Sequence, residues 1–375
     1  MKVALDIRKL NDFGIGTYIR NLVVHLAKLD KESSYFLVGI PRDTAELGPL
    51  PPNFSFIAAS PLQSSLWNEC ALPILLKKNQ VQVLHTPHYT PPYFLFCKSI
   101  ITIHDCVHIL FPVSKESGGR AKKATRRAIK RSSHVFTVSE ATQRDLIRLF
   151  GLPEEKISVV YNAIDERVTL SNPPDDDRKV LERYQIHDPF LLYAGNIKPH
   201  KNLERLIEAF SVLKGELKED ERWKSLKLVI IGDELSKRQA LRRTVIRSGV
   251  QHDVRFFGFV PYETLRVFYK SAEVFVFPSL YEGFGLPPLE AMATGTPVLT
   301  SNISSLPEVL EDAALFVNPE NVFEICKGIK HLLYDTQLRT ELIEKGFHQS
   351  SKYSWSTSAQ LVLETYRKIA GNTSF

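Results

Sequence analysis

The stretch Val274-Phe275-Val276-Phe277-Pro278-Ser279-Leu280-Tyr281-Glu282-Gly283-Phe284-Gly285-Leu286-Pro287-Pro288-Leu289-Glu290-Ala291-Met292-Ala293 reads as a strand, a glycine-bearing turn and a helix in immediate succession. Its first four residues are β-branched or aromatic and uncharged, as expected of a strand buried on both faces of a parallel sheet. Two glycines leave the backbone of the turn accessible, proline marks the first helical turn, and Leu289 to Ala293 continue the helix. The same unit recurs along the chain. Short apolar runs at residues 2–7, 34–40, 54–58, 81–85, 99–103, 134–138 and 157–160 alternate with amphipathic segments in the first half, as do runs at 190–194, 226–231, 254–257, 274–277, 298–300 and 314–317 in the second. This alternation predicts βαβ units. The expected fold is α/β, with two Rossmann-like doubly wound domains facing across a cleft and ligands outside the carboxyl ends of the strands.

A chain of 375 residues exceeds one ordinary core, which also points to two domains. Ser171-Asn172-Pro173-Pro174-Asp175-Asp176-Asp177-Arg178 breaks the periodicity and reads as a solvated loop. The expected boundaries are an N-terminal domain at 1–168, a linker at 169–189, a C-terminal domain at 190–352, and a C-terminal helical segment at 353–375 that packs on either domain. With 43% hydrophobic and 24% charged residues, the composition is that of a soluble globular protein. No window approaches ~18 uncharged apolar residues, and Lys2 to Ile7 enters a strand rather than a signal peptide, so the expected location is the cytoplasm. Cys70, Cys97, Cys106 and Cys326 show neither a C-x-x-C pair nor metal-ligand spacing, which argues against zinc and against a disulfide framework.

Four strand ends carry residues capable of chemistry. After the first strand, Gly14 and Gly16 open an amphipathic helix bearing Ile19, Leu22, Val23 and Leu26. Glycines there either admit a phosphate to a helix N-terminus or serve turn geometry, and the third glycine of a dinucleotide fingerprint is missing. His104, at the end of run 99–103, either donates to a substrate or packs beneath a loop. After run 190–194, Gly195-Asn196-Ile197-Lys198-Pro199-His200-Lys201-Asn202 is either an anion site or a solvated basic loop. Glu282 and Glu290, eight positions apart, flank the glycine turn of the opening stretch. Carboxylates accept hydrogen bonds from neighbouring sugar hydroxyls, although a Glu near a helix start also complements the helix dipole.

The segment Pro278-Ser279-Leu280-Tyr281-Glu282-Gly283-Phe284-Gly285 through Glu290-Ala291-Met292-Ala293-Thr294-Gly295-Thr296-Pro297-Val298 resembles the Glu-x7-Glu signature of the family 4 glycosyltransferases, retaining enzymes of the GT-B fold. The resemblance extends to Gly14–Gly16, to Ile103-His104-Asp105, to Val138-Ser139-Glu140, to the run Tyr161 to Asp165, and to Lys201-Asn202. It implies an acceptor-side N-terminal domain and a donor-side C-terminal domain. It further implies that Glu290 holds the donor ribose and Lys201 the diphosphate, while Glu282 with the turn residues Gly283, Phe284, Gly285 and Leu286 holds the hexose. The resemblance also implies that Gly16, with Gly14 beside it on the donor side, covers the phosphates and that His104 touches the sugar near the anomeric centre. Many members carry Arg where this chain has Asn196, leaving Lys198 or His200 as substitutes. The implied reaction is hexosyl transfer from a nucleoside-diphosphate sugar to a glycan or lipid-linked glycan, by front-face attack with the leaving phosphate taking the acceptor proton. Neither metal nor cofactor is implied. The wording of the signature resembles bacterial mannosyl- and glucosyl-transferring members of polysaccharide assembly, so GDP-mannose is the first donor to test.

The net charge is +6, and Arg120, Lys122, Lys123, Arg126, Arg127, Lys130 and Arg131 concentrate positive charge with no acidic residue between them. The segment reads as a helix that either rests peripherally on an anionic membrane, on its inner face, or is simply solvated. Rival functions are a sugar-nucleotide epimerase or phosphorylase of the same fold, and a nucleic-acid-binding protein using this helix. Confinement of the charge to one segment without interleaved aromatics disfavours the last.

Overall fold

The computed structural model describes residues 1–12, 14–40, 46–59, 67–88, 91–168, 174–232 and 239–371. Phe13 and residues 169–173 of the expected linker lie outside the described residues. The chain divides into two compact units, Met1–Asn162 with Ser354–Phe375, and Ala163–Tyr353.

The sheet of the first unit comprises β1 (Lys2–Asp6), β2 (Ser34–Gly39), β3 (Phe54–Ala58), β4 (Val83–Thr86), β5 (Lys98–Ile103), β6 (His134–Thr137) and β7 (Ile157–Val159). Their spatial order is β3-β2-β1-β4-β5-β6-β7 and every pairing is parallel. In the second unit β8 (Phe190–Ala194), β9 (Lys227–Ile231), β10 (Val254–Phe257), β11 (Val274–Phe277), β12 (Val298–Ser301) and β13 (Leu315–Val317) lie in the order β10-β9-β8-β11-β12-β13, again all parallel. Each run read as a strand is one. The central strands are apolar throughout because helices cover both faces; β11 is fully buried along its length. In each sheet the strand order reverses once, between β1 and β4 and between β8 and β11. Loops leaving adjacent strands there diverge to opposite faces and open a crevice at the carboxyl ends.

The helices of the first unit are α1 (Ile15–Leu29), α2 (Leu72–Lys78), α3 (Val107–Leu110), α4 (Lys115–Arg131) and α5 (Glu140–Phe150); those of the second are α6 (Pro174–Arg183), α7 (Leu203–Glu216), α8 (Gln239–Arg247), α9 (Tyr262–Ser271), α10 (Leu286–Ala293), α11 (Leu306–Leu310), α12 (Val322–Tyr334) and α13 (Thr336–Ser351). The Val138-Ser139-Glu140 motif is a helix start: the Ser139 hydroxyl accepts the Thr142 N–H at 3.1 Å, and Gly151 closes α5 in the left-handed region.

The final helix, α14 (Trp355–Gly371), packs on α1 and β4 within the first unit. Tyr366 and His85 Nδ1 share a 2.5 Å hydrogen bond, and His85 Nε2 meets Thr102 Oγ1 at 2.7 Å, so a buried polar cluster ties the helix to the sheet.

The expected linker 169–189 requires correction. Residues 174–183 form α6, inside the second unit, and Asp177 is buried rather than solvated. Its carboxylate lies 2.8 Å from Lys270 Nζ and 3.5 Å from Arg266 Nη2 on α9. An Asp-rich stretch looks like loop when read alone, but Asp177 has a buried guanidinium to neutralise.

Candidate active site

In the second unit the crevice at the β8/β11 switch is lined by the two turns singled out from the sequence. After β8, Gly195 adopts φ +148°, and a Cβ on Gly232, after β9, would lie 2.0 Å from the Gly195 carbonyl oxygen, so only glycine lets the two strand ends approach. The chain then makes a short 3-10 turn, Pro199–Lys201, and enters α7 through Asn202 at φ +61°. The Asn202 amide donates to the carbonyls of Pro278 at 3.0 Å and Pro319 at 2.7 Å, fastening this turn to the one leaving β11. The Leu280 N–H, donated to the His200 carbonyl at 2.7 Å, fastens it again.

This stitching places Lys201 Nζ 2.6 Å from Glu282 Oε1, with both side chains only 11% exposed. The ammonium also lies 5.2 Å from the Phe277 ring. An ammonium has three N–H groups and a carboxylate several acceptor directions, so the pair retains capacity for a diphosphate and for sugar hydroxyls. Asn196 Oδ1 is buried and has no hydrogen-bond partner among the described residues. Lys198 is exposed and His200 buried.

The turn after β11 is braced by residues that sequence reasoning missed. Ser304 Oγ accepts the Glu282 N–H at 3.1 Å and donates to the Glu282 carbonyl at 2.8 Å, while Ser305 Oγ donates to the Phe284 carbonyl at 2.9 Å. Gly285, at φ +105°, starts α10, and a Cβ there would meet Leu306 Cδ2 at 2.8 Å. The helix begins at Leu286, three residues before the expected Leu289. Pro287 and Pro288 have no N–H, so the amide donors of this helix start are those up to Leu286.

Glu290 therefore sits in the second turn of α10, not the first, and is 8% exposed, which overturns its reading as a surface charge complementing the helix dipole. Its carboxylate accepts the Tyr262 hydroxyl at 2.7 Å and the Tyr269 hydroxyl at 2.8 Å, both from α9. Burial pushes its pKa up and the two hydroxyls pull it back down, with Asp165 adding a further upward push.

In the first unit Gly14 has φ +72° and caps α1, while a Cβ on Gly16 would lie 2.0 Å from the Leu10 carbonyl oxygen. Close backbone packing alone thus demands glycine at 16. His104 Nε2 lies 3.1 Å from the Pro87 carbonyl, and its ring meets Tyr18 edge-on at 5.0 Å. Burial lowers its pKa to about 4, so it is neutral at pH 7. A carbonyl only accepts, so Nε2 carries the proton and Nδ1 is left as an acceptor. The β1/β4 switch of this unit holds a cluster not foreseen: Asp6 receives Arg8 through Nε at 2.9 Å and Nη2 at 2.6 Å, and His88 Nε2 lies 3.2 Å from it. The Asp-x-Arg spacing that begins on the last residue of a strand was the available signal.

Six of the seven basic residues expected on a helix are exposed along α4, with Lys122 partly covered. The Arg131 guanidinium stacks 3.4 Å over the exposed Tyr93 ring. Among the described residues no helix is long and apolar enough to cross a membrane.

Residues 176–349 match the family described as "Glycosyl transferases group 1", and residues 14–168 match "Glycosyltransferase Family 4". O-antigen chain mannosyltransferase B of Escherichia coli is 31% identical over 290 residues, covering 76% of this chain and 74% of that one. The serotype-specific mannosyltransferase WbdA of Escherichia coli is 31% identical over 240 residues, covering 64% of this chain but 29% of that longer protein. Among solved structures, sucrose-phosphate synthase from Thermosynechococcus elongatus superposes over 100% of both chains with a TM-score of 0.77 at 19% identity, a likeness of fold. The two doubly wound units are those of a GT-B enzyme, and the chain belongs to the group 1, family 4 glycosyltransferases.

Proposed function

We propose that this hexosyltransferase moves mannose from GDP-mannose, or a related hexose from another nucleoside-diphosphate sugar, to a glycan or lipid-linked glycan acceptor, with retention and without a resident metal or cofactor. The observation that carries the reading is the Lys201–Glu282 pair, held at 2.6 Å at the switch point of the second sheet. The preference for mannose rests on the two mannosyltransferases to which the chain is 31% identical.

In this reading Lys201 bears on the donor diphosphate and Glu282, with the amides of Phe284, Gly285 and Leu286, on hexose hydroxyls; Glu290 takes the ribose. As the bond from anomeric carbon to phosphate breaks, negative charge grows on the diphosphate, where a fixed ammonium is worth more than it was against the ground state. The acceptor hydroxyl attacks from the face the leaving group vacates and passes its proton to a phosphate oxygen. His104, neutral and protonated at Nε2, offers Nδ1 as an acceptor and does not act as a general acid. The test is a thermal-shift screen of GDP-, UDP- and ADP-sugars, followed by NMR of the product's anomeric configuration with the best donor in excess EDTA. An inverted product refutes retention, loss of turnover in EDTA refutes metal independence, and no shift with any nucleotide sugar refutes the donor site.

We further propose that the enzyme works in the cytoplasm, peripherally on an anionic membrane surface, through α4. Exposed apolar side chains flank the basic helix, Phe111 and Val113 before it and Tyr93 and Phe94 beside Arg131. Lysines and arginines near an anionic leaflet contribute about 1 kcal/mol each. Co-sedimentation with phosphatidylglycerol vesicles but not phosphatidylcholine vesicles, lost in an Arg126→Glu, Arg127→Glu, Lys130→Glu variant, is the expected result. Retention of vesicle binding by that variant refutes it, as does binding of RNA in preference to lipid.

A further inference from the structure

The buried carboxylate of Glu290 is held by two residues that lie 28 and 21 positions upstream, on one face of α9: Tyr262 reaches Oε1 at 2.7 Å and Tyr269 reaches Oε2 at 2.8 Å. Each hydroxyl takes a different oxygen. A carboxylate oxygen has two lone-pair directions, so this arrangement fixes the carboxylate plane and leaves one direction open on each oxygen. Two adjacent acceptors with one free direction apiece match two adjacent hydroxyls. From this geometry we infer that Tyr262 and Tyr269 are positioning residues that turn Glu290 into a reader of a vicinal diol, the 2′- and 3′-hydroxyls of the donor's ribose. The inference rests on the assignment of Glu290 to the ribose.

The surroundings fit that role. A carboxylate 8% exposed is driven toward the neutral form by desolvation, and a neutral carboxyl would present one donor and a mixed pattern of acceptors to the sugar. Tyrosine hydroxyls stabilise the charged form, on which both oxygens accept. Tyr262 also lies against an ion pair: the Arg167 guanidinium is 5.0 Å from its ring centre and is held by Asp165 through Nε at 2.8 Å and Nη2 at 2.7 Å. Tyr269 is fully buried, its ring edge-on to Phe275 at 5.3 Å, and its carbonyl accepts the Thr296 hydroxyl. The groups that shift Glu290 are thus the two tyrosines of α9 and, pushing the other way, Asp165, which is itself paired with Arg167.

The experiment compares GDP, UDP or ADP, whichever stabilises the wild type most, with its 2′-deoxy analogue, by isothermal titration over pH 5 to 8. The proteins are the wild type, Tyr262→Phe, Tyr269→Phe and Glu290→Ala. Loss of one hydrogen bond to a charged group that must be held in register is expected to weaken the ribonucleotide about tenfold in each Phe variant. The preference for ribo over 2′-deoxy should narrow with it, the acidic limb of binding should move to higher pH, and donor KM should rise with kcat largely spared. A merely structural tyrosine would lower both nucleotides equally. Should Tyr269→Phe fail to fold, the partly accessible Tyr262→Phe carries the test alone. If Glu290→Ala loses the ribo preference while the Phe variants keep it, the positioning role is overturned. If Glu290→Ala keeps it too, the ribose assignment falls and the inference with it.

Discussion

Replacing Lys201 by Met strands the Glu282 carboxylate where both side chains were 11% exposed. At their 2.6 Å separation and an effective dielectric of ~20, the attraction is about 6 kcal/mol, much of it offset by the desolvation of two charges. Removing one partner of a buried pair costs ~3–5 kcal/mol, and the residual solvent access puts the expected loss here near about 3 kcal/mol. Glu282→Gln should cost somewhat less, about 2 kcal/mol, because the orphaned ammonium still faces the Phe277 ring. The double variant leaves no unpaired charge and should be about 2 kcal/mol more stable than the sum of the single losses. Urea titration read by hydrogen–deuterium exchange in peptides covering β8–α7 and β11–α10 measures the second unit alone. In the same assay a nucleoside diphosphate at a hundredfold excess over its Kd raises wild-type stability by about 2.7 kcal/mol, and Lys201→Met by much less. Single losses that simply add refute the pairing energetics. An undiminished nucleotide effect in Lys201→Met refutes the diphosphate contact.

Three further outcomes follow from other parts of the structure. Burial lowers the pKa of His85 to about 3 and that of His104 to about 4. Since the unfolded value is near ~6.5, the unfolded chain binds protons first, and each histidine removes about 2 kcal/mol from the first unit by pH 5. His85→Gln should therefore lose about 2 kcal/mol less than wild type between pH 7 and pH 5, and an equal loss would place the acid sensitivity elsewhere. Gly16→Ala drives a methyl to 2.0 Å from the Leu10 carbonyl and should cost about 2 kcal/mol through displacement of the α1 start, read as a lower urea midpoint of the first unit; an unchanged midpoint contradicts it. Asp177→Asn leaves Arg266, 5% exposed, without its counter-charge and should raise amide exchange in α6 by about tenfold or more, whereas unchanged exchange would make the pairing incidental.

Local order made the strands and the turn after β11 legible. A buried parallel strand needs an unbroken apolar run, and the turn after it needs glycine where φ is positive, so Val274 to Gly285 announces both. Helix α6 was not legible because its reason is an ion pair to a residue about 90 positions away, which no local window contains. The same distinction separates the two carboxylates. Glu282 is recognisable from its own turn, and the serines bracing it follow the next strand. What Glu290 does depends on Tyr262 and Tyr269, which from the sequence look like ordinary apolar-face residues of α9, since hydroxyl direction is set by how α9 packs on α10.

Both sheets reverse their order at a strand pair whose ends carry an ion pair, Asp6 with Arg8 beside His88 in the first unit, Lys201 with Glu282 in the second. The chemical balance differs. Burial favours the neutral form of a carboxyl, yet Asp6 is held well below the usual carboxylate range by Arg8 and His88, so its acceptors are largely consumed within the cluster. Such a group stiffens loops and offers little to a ligand. Lys201 and Glu282 meet through one close contact, leaving donors on one and acceptors on the other. The same reversal of strand order thus yields a brace in one unit and a site with spare hydrogen-bonding capacity in the other. That difference in saturation, rather than the charges themselves, is what makes the β8/β11 crevice the better candidate for binding a diphosphate and a sugar.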